Sequence, residues 1–458
     1  MKNYYDPMLF ASTPEHPGIA GVMAVLKEEI DVAILQEVVE SLRDRFPYFY
    51  VRPAVEDSEL IAVPNPLPII VRNTWEPTRL MSKEANYHMT AFKYEGTAFA
   101  METSHLLTDG AGLIPYFMSV LYCYLTRKTG ETFDPEGFRL PGQPIPETEI
   151  GDPFPGLDLE SAKPFYKKKT IPIFYRLSKR YKDKGHIEKS FFLKIPEEGL
   201  IRICKEKDGS PNALIAVLLA KAVRKLDPDS QKTILCAVAI NHKPMLGNHE
   251  NYRLFSDGVN IDFQKKHETD DLTRMCTIVR GQLMLQAQPE NSICYVKQVK
   301  DASKIMGRIP LPIRTELMKK VMDMSRATFG VSYPISKGFG PLDPYISEVY
   351  GLSEADVYDV LVEAVCLNHT FFLSFFQKFS SEEFLEAFVE ELNDVGIPVE
   401  IARKEDRRML SGVCFEDVPG MKPMSESIKD GLSDIEKTVE EKILNAAHFL
   451  QKILSSPL

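Results

Sequence analysis

The chain has 458 residues, of which 44% are hydrophobic and 26% are charged, and an excess of 65 acidic over 55 basic residues gives a formal net charge of −10 at pH 7. These proportions are typical of a soluble globular protein, and the length exceeds what one hydrophobic core usually serves, so we expect two lobes or domains. The acidic balance argues against a general nucleic-acid binder.

The chain shows no sign of secretion or of a transmembrane segment. Its N-terminus lacks the basic region and apolar core of a signal peptide, and the most apolar run, residues 213–220, stops at Lys221. That run is far short of the ~20 residues that a membrane span needs. The seven cysteines are far apart with no Cys-x-x-Cys pair, which indicates neither a disulfide framework nor a zinc site. We therefore expect a cytoplasmic protein.

The first half of the chain predicts a mixture of strands and helices, which apolar periodicity and capping residues locate. The predicted elements are an extended segment at 19–27, a helix that starts after Asp31 and stops at Pro47, a hairpin at 88–104 and a helix from Gly112 to about Arg127. Residues 129–164 are rich in Pro and Gly and predict a long connection.

The second half shows the same mixture, without a convincing sequence repeat. Ser210 caps a helix predicted over 211–226, and Ser380 or Ser381 caps a final helix that closes at Gly396. The other predicted elements are strands at 190–195, 233–240, 258–263, 328–333, 346–350, 357–365 and 369–375 and a helix at 271–286. Helices beside a mixed sheet in each half predict an α+β, or mixed α/β, protein of two lobes.

A separate tail begins near Arg403 and predicts one amphipathic helix. Its apolar residues recur every three or four positions and give one apolar stripe. They are Ile428, Leu432, Ile435, Val439, Ile443, Ala446, Leu450 and Ile453. Two interpretations remain open, because such a helix can dock on its own domain or bind a partner and form an oligomer.

Residues 105–110, His-Leu-Leu-Thr-Asp-Gly, carry the strongest functional signal. An imidazole at the end of a strand can reach a cleft and accept a proton near pH 7. Asp109 can fix the loop that carries His105, and Gly110 lets backbone approach closely. Rival patterns fail: residues 330–334 do not complete a nucleophile elbow, Pro115 occupies the third glycine site of a dinucleotide fingerprint, and no ligand spacing supports a metal site.

These six residues resemble the His-x-x-x-Asp-Gly motif of the chloramphenicol acetyltransferase-like superfamily of acyltransferases, which includes condensation domains and alcohol acetyltransferases. Three further features are similar: the motif follows a strand a quarter of the way along the chain, the first helix ends in Arg45-Phe46-Pro47, and residues 210–213 open a helix of the second half. The resemblance covers residues 10 to 400. Residues 338–342, Gly-Phe-Gly-Pro-Leu, keep only the central Phe-Gly of the Asp-Phe-Gly-Trp-Gly motif of plant relatives.

The resemblance implies two lobes, each a mixed sheet flanked by helices, with the active site at their interface. The implied division is a first lobe at 1–162, a basic crossover at 163–189, a second lobe at 190–402 and the tail at 403–458. The implied activity is transfer of an acyl group, acetyl in the first instance, from coenzyme A to an alcohol or amine. Acyl-CoA is then a co-substrate, and neither a bound cofactor nor a metal is needed.

The resemblance also implies residue roles. His105 is the general base, and Asp109, followed by Gly110, has a structural role. An arginine of the second lobe commonly pairs with this aspartate, and here Lys243 or Arg253 can substitute for it. Ser332 and Tyr333 are the candidate donors to the oxyanion.

Two alternatives to a CoA-dependent enzyme remain. One is a condensation-type enzyme that acts in trans with an acyl carrier protein, and the other is a catalytically silent relative that binds a metabolite or a partner.

The presumed crossover is strongly basic: residues 163–184 hold nine basic side chains against one acid. Lys179 and Arg180 are candidates to bind the phosphates of coenzyme A. An acidic carrier protein or an anionic membrane surface would suit the segment equally, as would a solvated linker with no ligand.

Overall fold

Two β-sheets and the helices packed on them form the frame of the molecule. The computed structural model describes residues 18–56, 59–167, 171, 173–181, 187–306, 317, 321, 327–335, 337–355 and 357–408. The predicted tail helix lies outside the described residues. The predicted α+β, or mixed α/β, class is confirmed, because both of these large sheets combine parallel and antiparallel pairs and carry helices.

The strands are β1 (Ile19–Leu26), β2 (Val51–Glu56), β3 (Glu59–Pro64), β4 (Val71–Asn73), β5 (Thr90–Glu95), β6 (Ala98–Ser104), β7 (Ile187–Pro196), β8 (Ile234–Asn241), β9 (Ser256–Phe263), β10 (Ala327–Ile335), β11 (Ile346–Ser353), β12 (Tyr358–Leu367), β13 (Thr370–Gln377) and β14 (Glu400–Arg408). The α-helices are α1 (Val32–Ser41), α2 (Gly110–Thr129), α3 (Glu147–Ile150), α4 (Leu177–Tyr181), α5 (Glu197–Glu206), α6 (Pro211–Leu226), α7 (Leu272–Gln286), α8 (Pro289–Met306) and α9 (Glu383–Asp394). Short 3-10 helices lie at Pro47–Phe49, Lys83–Ala85, Pro244–Leu246, Lys265–His267 and Gly340–Tyr345.

Local capping explains where α1 and α6 begin, whereas α9 starts after Glu382, not Ser380 or Ser381, and the Glu382 side chain makes no cap hydrogen bond. The Asp31 carboxylate accepts hydrogen bonds from the backbone N–H groups of Ala33 and Ile34 and starts α1. Ser210 caps α6 in the same way through the Ala213 N–H. These side chains satisfy donors that the first turn of a helix leaves unpaired. Two longer helices, α5 and α8, and the short helices α3 and α4 were not predicted; α5 and α8 are rich in charged and polar residues.

The first sheet has the strand order β11-β1-β6-β5-β4. Helices α1 and α2 pack together on this sheet and bury their apolar faces in one core. The predicted hairpin at 88–104 is confirmed, since β5 and β6 pair antiparallel and turn at Gly96, which has a positive φ of 56°.

The second sheet has the strand order β14-β7-β13-β12-β10-β8-β9, and β8, β10 and β12 run parallel. Helix α6 is buried on nearly every side, because it lies between this sheet and α5, α7 and α9. A helix enclosed in this way is apolar all round, which accounts for the most apolar run of the sequence.

The pairing of strands crosses the predicted division of the chain into lobes. Strand β11 comes from the second half, yet it pairs with β1 in the first sheet. It also packs on β12 and β13 of the second sheet, where the Ser374 hydroxyl donates a hydrogen bond to the Gly351 carbonyl at 2.7 Å. Strand β14 continues the second sheet as far as Arg408, beyond residue 402. One strand thus joins the two lobes.

A buried carboxylate anchors the long connection between the lobes. Glu149 of α3 receives two parallel hydrogen bonds from the Arg45 guanidinium, at 2.7 and 2.9 Å, and a third from the Tyr48 hydroxyl. Arg139 lies 3.1 Å from the second carboxylate oxygen. Burial by itself raises the pKa of Glu149, but the hydrogen bonds and the two cations outweigh burial, so the pKa lies below its ordinary value.

The backbone around Glu149 holds a loop of the second lobe. Its carbonyl accepts a hydrogen bond from the Tyr252 N–H at 3.1 Å, and the Asn251 side-chain amide donates to the Thr148 carbonyl at 3.1 Å. Arg45 of the first lobe is therefore connected, through Glu149, to residues 251 and 252 of the second.

We expect Glu149→Gln to lower the free energy of unfolding by about 3–5 kcal/mol, because it leaves the buried Arg45 charge without its counterion. Urea unfolding followed by circular dichroism measures the change. Glu147→Gln, at an exposed position of the same short helix, is the matched control and should change stability by less than about 0.5 kcal/mol. Equal stability of the two variants would contradict an anchoring role for Glu149.

Candidate functional site

The motif at 105–110 forms the turn between β6 and α2, at the junction of the two lobes. The His105 N–H donates to the Gly18 carbonyl at 2.7 Å, which extends the pairing of β6 with the start of β1. Across the junction, Pro334 at the end of β10 lies so close to Gly110 that a Cβ added there would be 3.1 Å from the proline Cβ. The motif thus lies beside the C-terminal end of a strand in the second sheet.

The imidazole of His105 is held in one orientation. Its Nδ1 lies 3.0 Å from the Thr108 carbonyl oxygen. A carbonyl only accepts hydrogen bonds, so Nδ1 carries the proton and Nε2 of the neutral ring has a free lone pair. The side chain is partly exposed, and Nε2 has no hydrogen-bond partner among the described residues. This geometry presents a proton acceptor to a molecule at the lobe junction.

Asp109 joins α2 to the second lobe. One carboxylate oxygen accepts from the Gly112 N–H at 3.1 Å and so caps α2. The same oxygen lies 2.8 Å from the Lys243 ammonium, and the other oxygen accepts from the Phe255 N–H at 2.8 Å. With its oxygens occupied in this way, the carboxylate holds the loop in place.

Lys243 is the partner of Asp109, which settles the choice that the sequence left open. Its ammonium also donates to the carbonyls of Asn251 and Arg253, at 2.8 and 2.9 Å, so each of its three N–H groups has an acceptor. Arg253 instead donates to the Ile150 carbonyl at 2.5 Å. Burial lowers the pKa of Lys243, and the charge of Asp109 opposes that shift.

Gly112 has a packing role, which its place in the incomplete dinucleotide fingerprint did not predict. A Cβ at this position would overlap the Tyr252 carbonyl oxygen and the Thr108 hydroxyl. That hydroxyl donates to the same Tyr252 carbonyl at 2.6 Å. The backbone of the first turn of α2 therefore packs directly on the backbone of the 251–255 loop, and only glycine fits at position 112.

The two candidate oxyanion donors lie on opposite faces of β10. The Tyr333 ring packs on the helix-covered face, with its centroid 5.5 Å from that of Phe371. Successive side chains of a strand alternate between faces, so Ser332 lies on the other face, towards the first lobe. Ser332 is partly exposed, and its hydroxyl makes no hydrogen bond to any described residue.

Glu363 of β12 is a functional candidate that the sequence interpretation missed. It is the direct partner of Ser332 in the parallel pairing of β10 with β12, and Gly351 of β11 covers it. A Cβ at Gly351 would be 2.5 Å from a Glu363 carboxylate oxygen. Burial raises the pKa of this carboxyl to about 7, yet the side chain keeps accessible surface. Glu363 is thus a partly accessible carboxyl between the two sheets.

A charged residue inside the apolar run Val-Leu-Val-Glu-Ala-Val-Cys, residues 360–366, was the signal that could have identified Glu363. A strand that is buried on both faces seldom contains an ionisable side chain without a specific role.

The structure does not bring Lys179 and Arg180 together with His105. Residues 174–181 contact the N-terminal ends of the parallel strands: the Tyr175 N–H donates to the Thr233 carbonyl, and Arg176 pairs with Asp359 at 2.8 Å. The motif lies at the opposite, C-terminal ends. Lys179 is exposed, and Arg180 lies 3.8 Å from Glu383.

Two classes of site find no support in the described part of the chain. No group of three or more His, Cys, Asp or Glu side chains there is arranged to hold a metal ion. No helix within the same residues combines the length and the apolar character needed to span a bilayer.

We expect Lys243→Met to lower the free energy of unfolding by about 3–5 kcal/mol, because the buried Asp109 charge then lacks its cation. Combining it with Asp109→Asn should cost less than the sum of the two single variants, since removing both charges leaves neither unpaired. Denaturant unfolding measures both effects. Lys266→Met, at an exposed lysine, is the control, and strict additivity in the cycle would contradict the pairing.

The raised pKa of Glu363 makes stability depend on pH. The ordinary carboxyl value is 4.5 and the folded value is about 7, so the folded state holds this proton more tightly. The contribution of Glu363 to stability is therefore greatest below pH 4.5 and is lost as the pH rises to 7. Glu363→Gln does not lose this contribution. When the pH rises from 4.5 to 8, its free energy of unfolding should therefore increase relative to that of the wild type by up to about 3 kcal/mol.

Unfolding curves at both pH values test this, with Glu386→Gln on the exposed face of α9 as the control. A difference between wild type and Glu363→Gln that stays constant with pH would rule out a raised pKa at Glu363.

No protein-family model matches the chain, and no curated protein matches its sequence. Solved structures do match across most of its length. Polyketide synthase associated protein 5 from Mycobacterium tuberculosis superposes with a TM-score of 0.55 at 12% identity, over 85% of this chain and 96% of that one. TRI101 of F. sporotrichioides, complexed with coenzyme A and T-2, gives 0.53 at 11% identity, over 85% and 98%.

A third structure extends the likeness to condensation domains. The first condensation domain of the CDA synthetase superposes with a TM-score of 0.54 at 11% identity, over 86% of this chain and 93% of that domain. Identities this low establish the fold alone, and they confirm the fold predicted from the sequence. The chain therefore shares the two-lobed fold of these three structures, and the His-x-x-x-Asp-Gly segment of this chain lies at the junction of its lobes.

Proposed function

We propose that this chain is an acyltransferase that moves an acyl group from coenzyme A to a hydroxyl or amine of a small acceptor, with His105 as the general base. The observation that carries the proposal is the orientation of the imidazole: Nδ1–H is bound to the Thr108 carbonyl, and Nε2 is free at the lobe junction. A structure of the same fold with coenzyme A bound supports the choice of donor.

The chemistry follows from this tautomer. The acceptor hydroxyl or amine gives its proton to His105 Nε2 while its oxygen or nitrogen attacks the thioester carbonyl carbon. The tetrahedral oxyanion then collapses, the carbon–sulfur bond breaks, and His105 returns the proton to the departing thiolate. Asp109 takes no part in these transfers, because its oxygens are occupied by Gly112, Lys243 and Phe255.

A donor to the oxyanion completes the proposed mechanism. Ser332 fits this role better than Tyr333, because its hydroxyl has no partner among the described residues and its face of β10 looks towards the first lobe. Such a donor lowers the barrier because negative charge develops on the carbonyl oxygen in the transition state.

The proposed phosphate contacts at Lys179 and Arg180 require a donor that extends along the parallel strands. The long phosphopantetheine arm of coenzyme A separates its thioester from its phosphates. Lys179 and Arg180 lie at the far ends of β8 and β10 from His105, so these phosphate contacts stay a prediction.

A carrier-dependent condensation reaction is the second candidate, favoured by the likeness to a condensation domain. It uses the same His105 chemistry and differs in the carrier of the thioester. A loaded acyl carrier protein supplied in trans distinguishes the two.

We expect His105→Ala to reduce acceptor-dependent thiol release from acetyl-CoA by about 10²–10⁴-fold, because a positioned general base contributes this much. A panel of alcohols and amines, with thiol release followed spectrophotometrically, measures the rate. His249→Ala, at an exposed histidine, is the matched control and should keep the wild-type rate.

Undiminished acceptor-dependent release in His105→Ala would overturn the mechanism. Turnover with a loaded carrier protein but with no coenzyme A thioester would favour the condensation reaction.

A further inference from the structure

Glu363 lies between the two sheets, on the face of β12 that β11 covers. On β10 and β13 its direct neighbours in the sheet are Ser332 and Ser374. Opposite them, Gly351 of β11 leaves the space that the carboxyl group occupies. Glu363 lies close to the motif. Its neighbour Ser332 lies two residues before Pro334, which is roughly 7 Å along the strand. Pro334 in turn lies next to Gly110.

The carboxylate has no counterion in the described part of the chain. Neither of its oxygens receives a hydrogen bond or an ion pair there, and its pKa responds to burial alone. The other charged side chains on the surrounding strands have partners elsewhere. Glu348 pairs with Lys194 at 2.5 Å, Asp359 pairs with Arg176, and Arg403 binds Glu405 at 2.9 Å.

The adjacent hydroxyls leave one donor unused. The Ser374 hydroxyl is engaged with the Gly351 carbonyl, whereas the Ser332 hydroxyl makes no hydrogen bond to a described residue. A buried ionised carboxyl without a cation is costly, and proteins normally pair it. An unpaired one that keeps accessible surface is therefore suited to a ligand that supplies the positive charge.

We propose that Glu363 binds a protonated amine of the acceptor, so that the preferred acceptors carry a cationic nitrogen separate from the group that is acylated. This inference rests on the proposed function. The phosphates of coenzyme A are unsuitable occupants of this position, because a carboxylate repels them. The cation lies away from the reacting atoms, since Glu363 is separated from His105 by the end of β10.

The experiment compares ω-(dimethylamino)alkanols with four-, six- and eight-carbon chains against their neutral isosteres, in which a CH(CH₃)₂ end replaces N(CH₃)₂. A tertiary amine is protonated at neutral pH and forms no stable amide, so the hydroxyl alone is acylated. With acetyl-CoA as donor, kcat/KM should be at least about tenfold higher for the charged member of the best pair, as expected for a charge-assisted hydrogen bond. In Glu363→Gln the preference should disappear through a rise in KM.

Binding is measured separately by thermal unfolding with each alcohol, which requires no turnover. The cationic alcohol of best length should raise the Tm of the wild type and of Glu386→Gln, but not that of Glu363→Gln. If no alcohol is acylated while this pattern of Tm holds, the proposed function fails and the cation site stands. Equal kcat/KM within every pair, or no rise in the wild-type Tm with any cationic alcohol, overturns the cation site.

Discussion

The buried ion pair between Asp109 and Lys243 determines how the candidate site is assembled. The two residues are 134 positions apart, and both side chains are almost completely inaccessible to solvent. Transfer of two charges from water into the interior is unfavourable unless every polar atom finds a partner. Here the ammonium has three acceptors, and the carboxylate accepts three hydrogen bonds. This full satisfaction fixes the 251–255 loop against the first turn of α2.

The use of lysine where the superfamily resemblance implies arginine has a structural consequence. An ammonium directs its donors to three separate acceptors, whereas a guanidinium favours a planar, paired interaction with one carboxylate. Lys243 uses this freedom to bind Asp109 and two backbone carbonyls of its own loop. The planar, paired interaction occurs elsewhere in the molecule, because the Arg45 guanidinium donates two parallel hydrogen bonds to Glu149. The Arg-Phe-Pro segment thus contributes to the junction from the first lobe.

Apolar and polar contacts both join the lobes, because the first core includes Phe192, Val365 and Phe372 of the second sheet. The interior of the first sheet and the helical layer of the second sheet are separate cores. Between them lie the Glu149 cluster, the Asp109–Lys243 pair and the bond from Ser374 to Gly351. Hydrogen bonds are directional and apolar contacts are not. The polar contacts can therefore fix the orientation of the His105 segment relative to β10.

The sequence by itself determined what depends on neighbours along the chain. Capping by Asp31 and Ser210, the hairpin around Gly96 and the position of the motif between a strand and a helix all follow from local rules. Tertiary structure decided the rest: β11 joins the first sheet from the second half, Lys243 rather than Arg253 meets Asp109, and Glu363 faces Gly351. These contacts join residues that are far apart in sequence, so neither periodicity nor spacing encodes them. Only the packing of one lobe against the other brings them together.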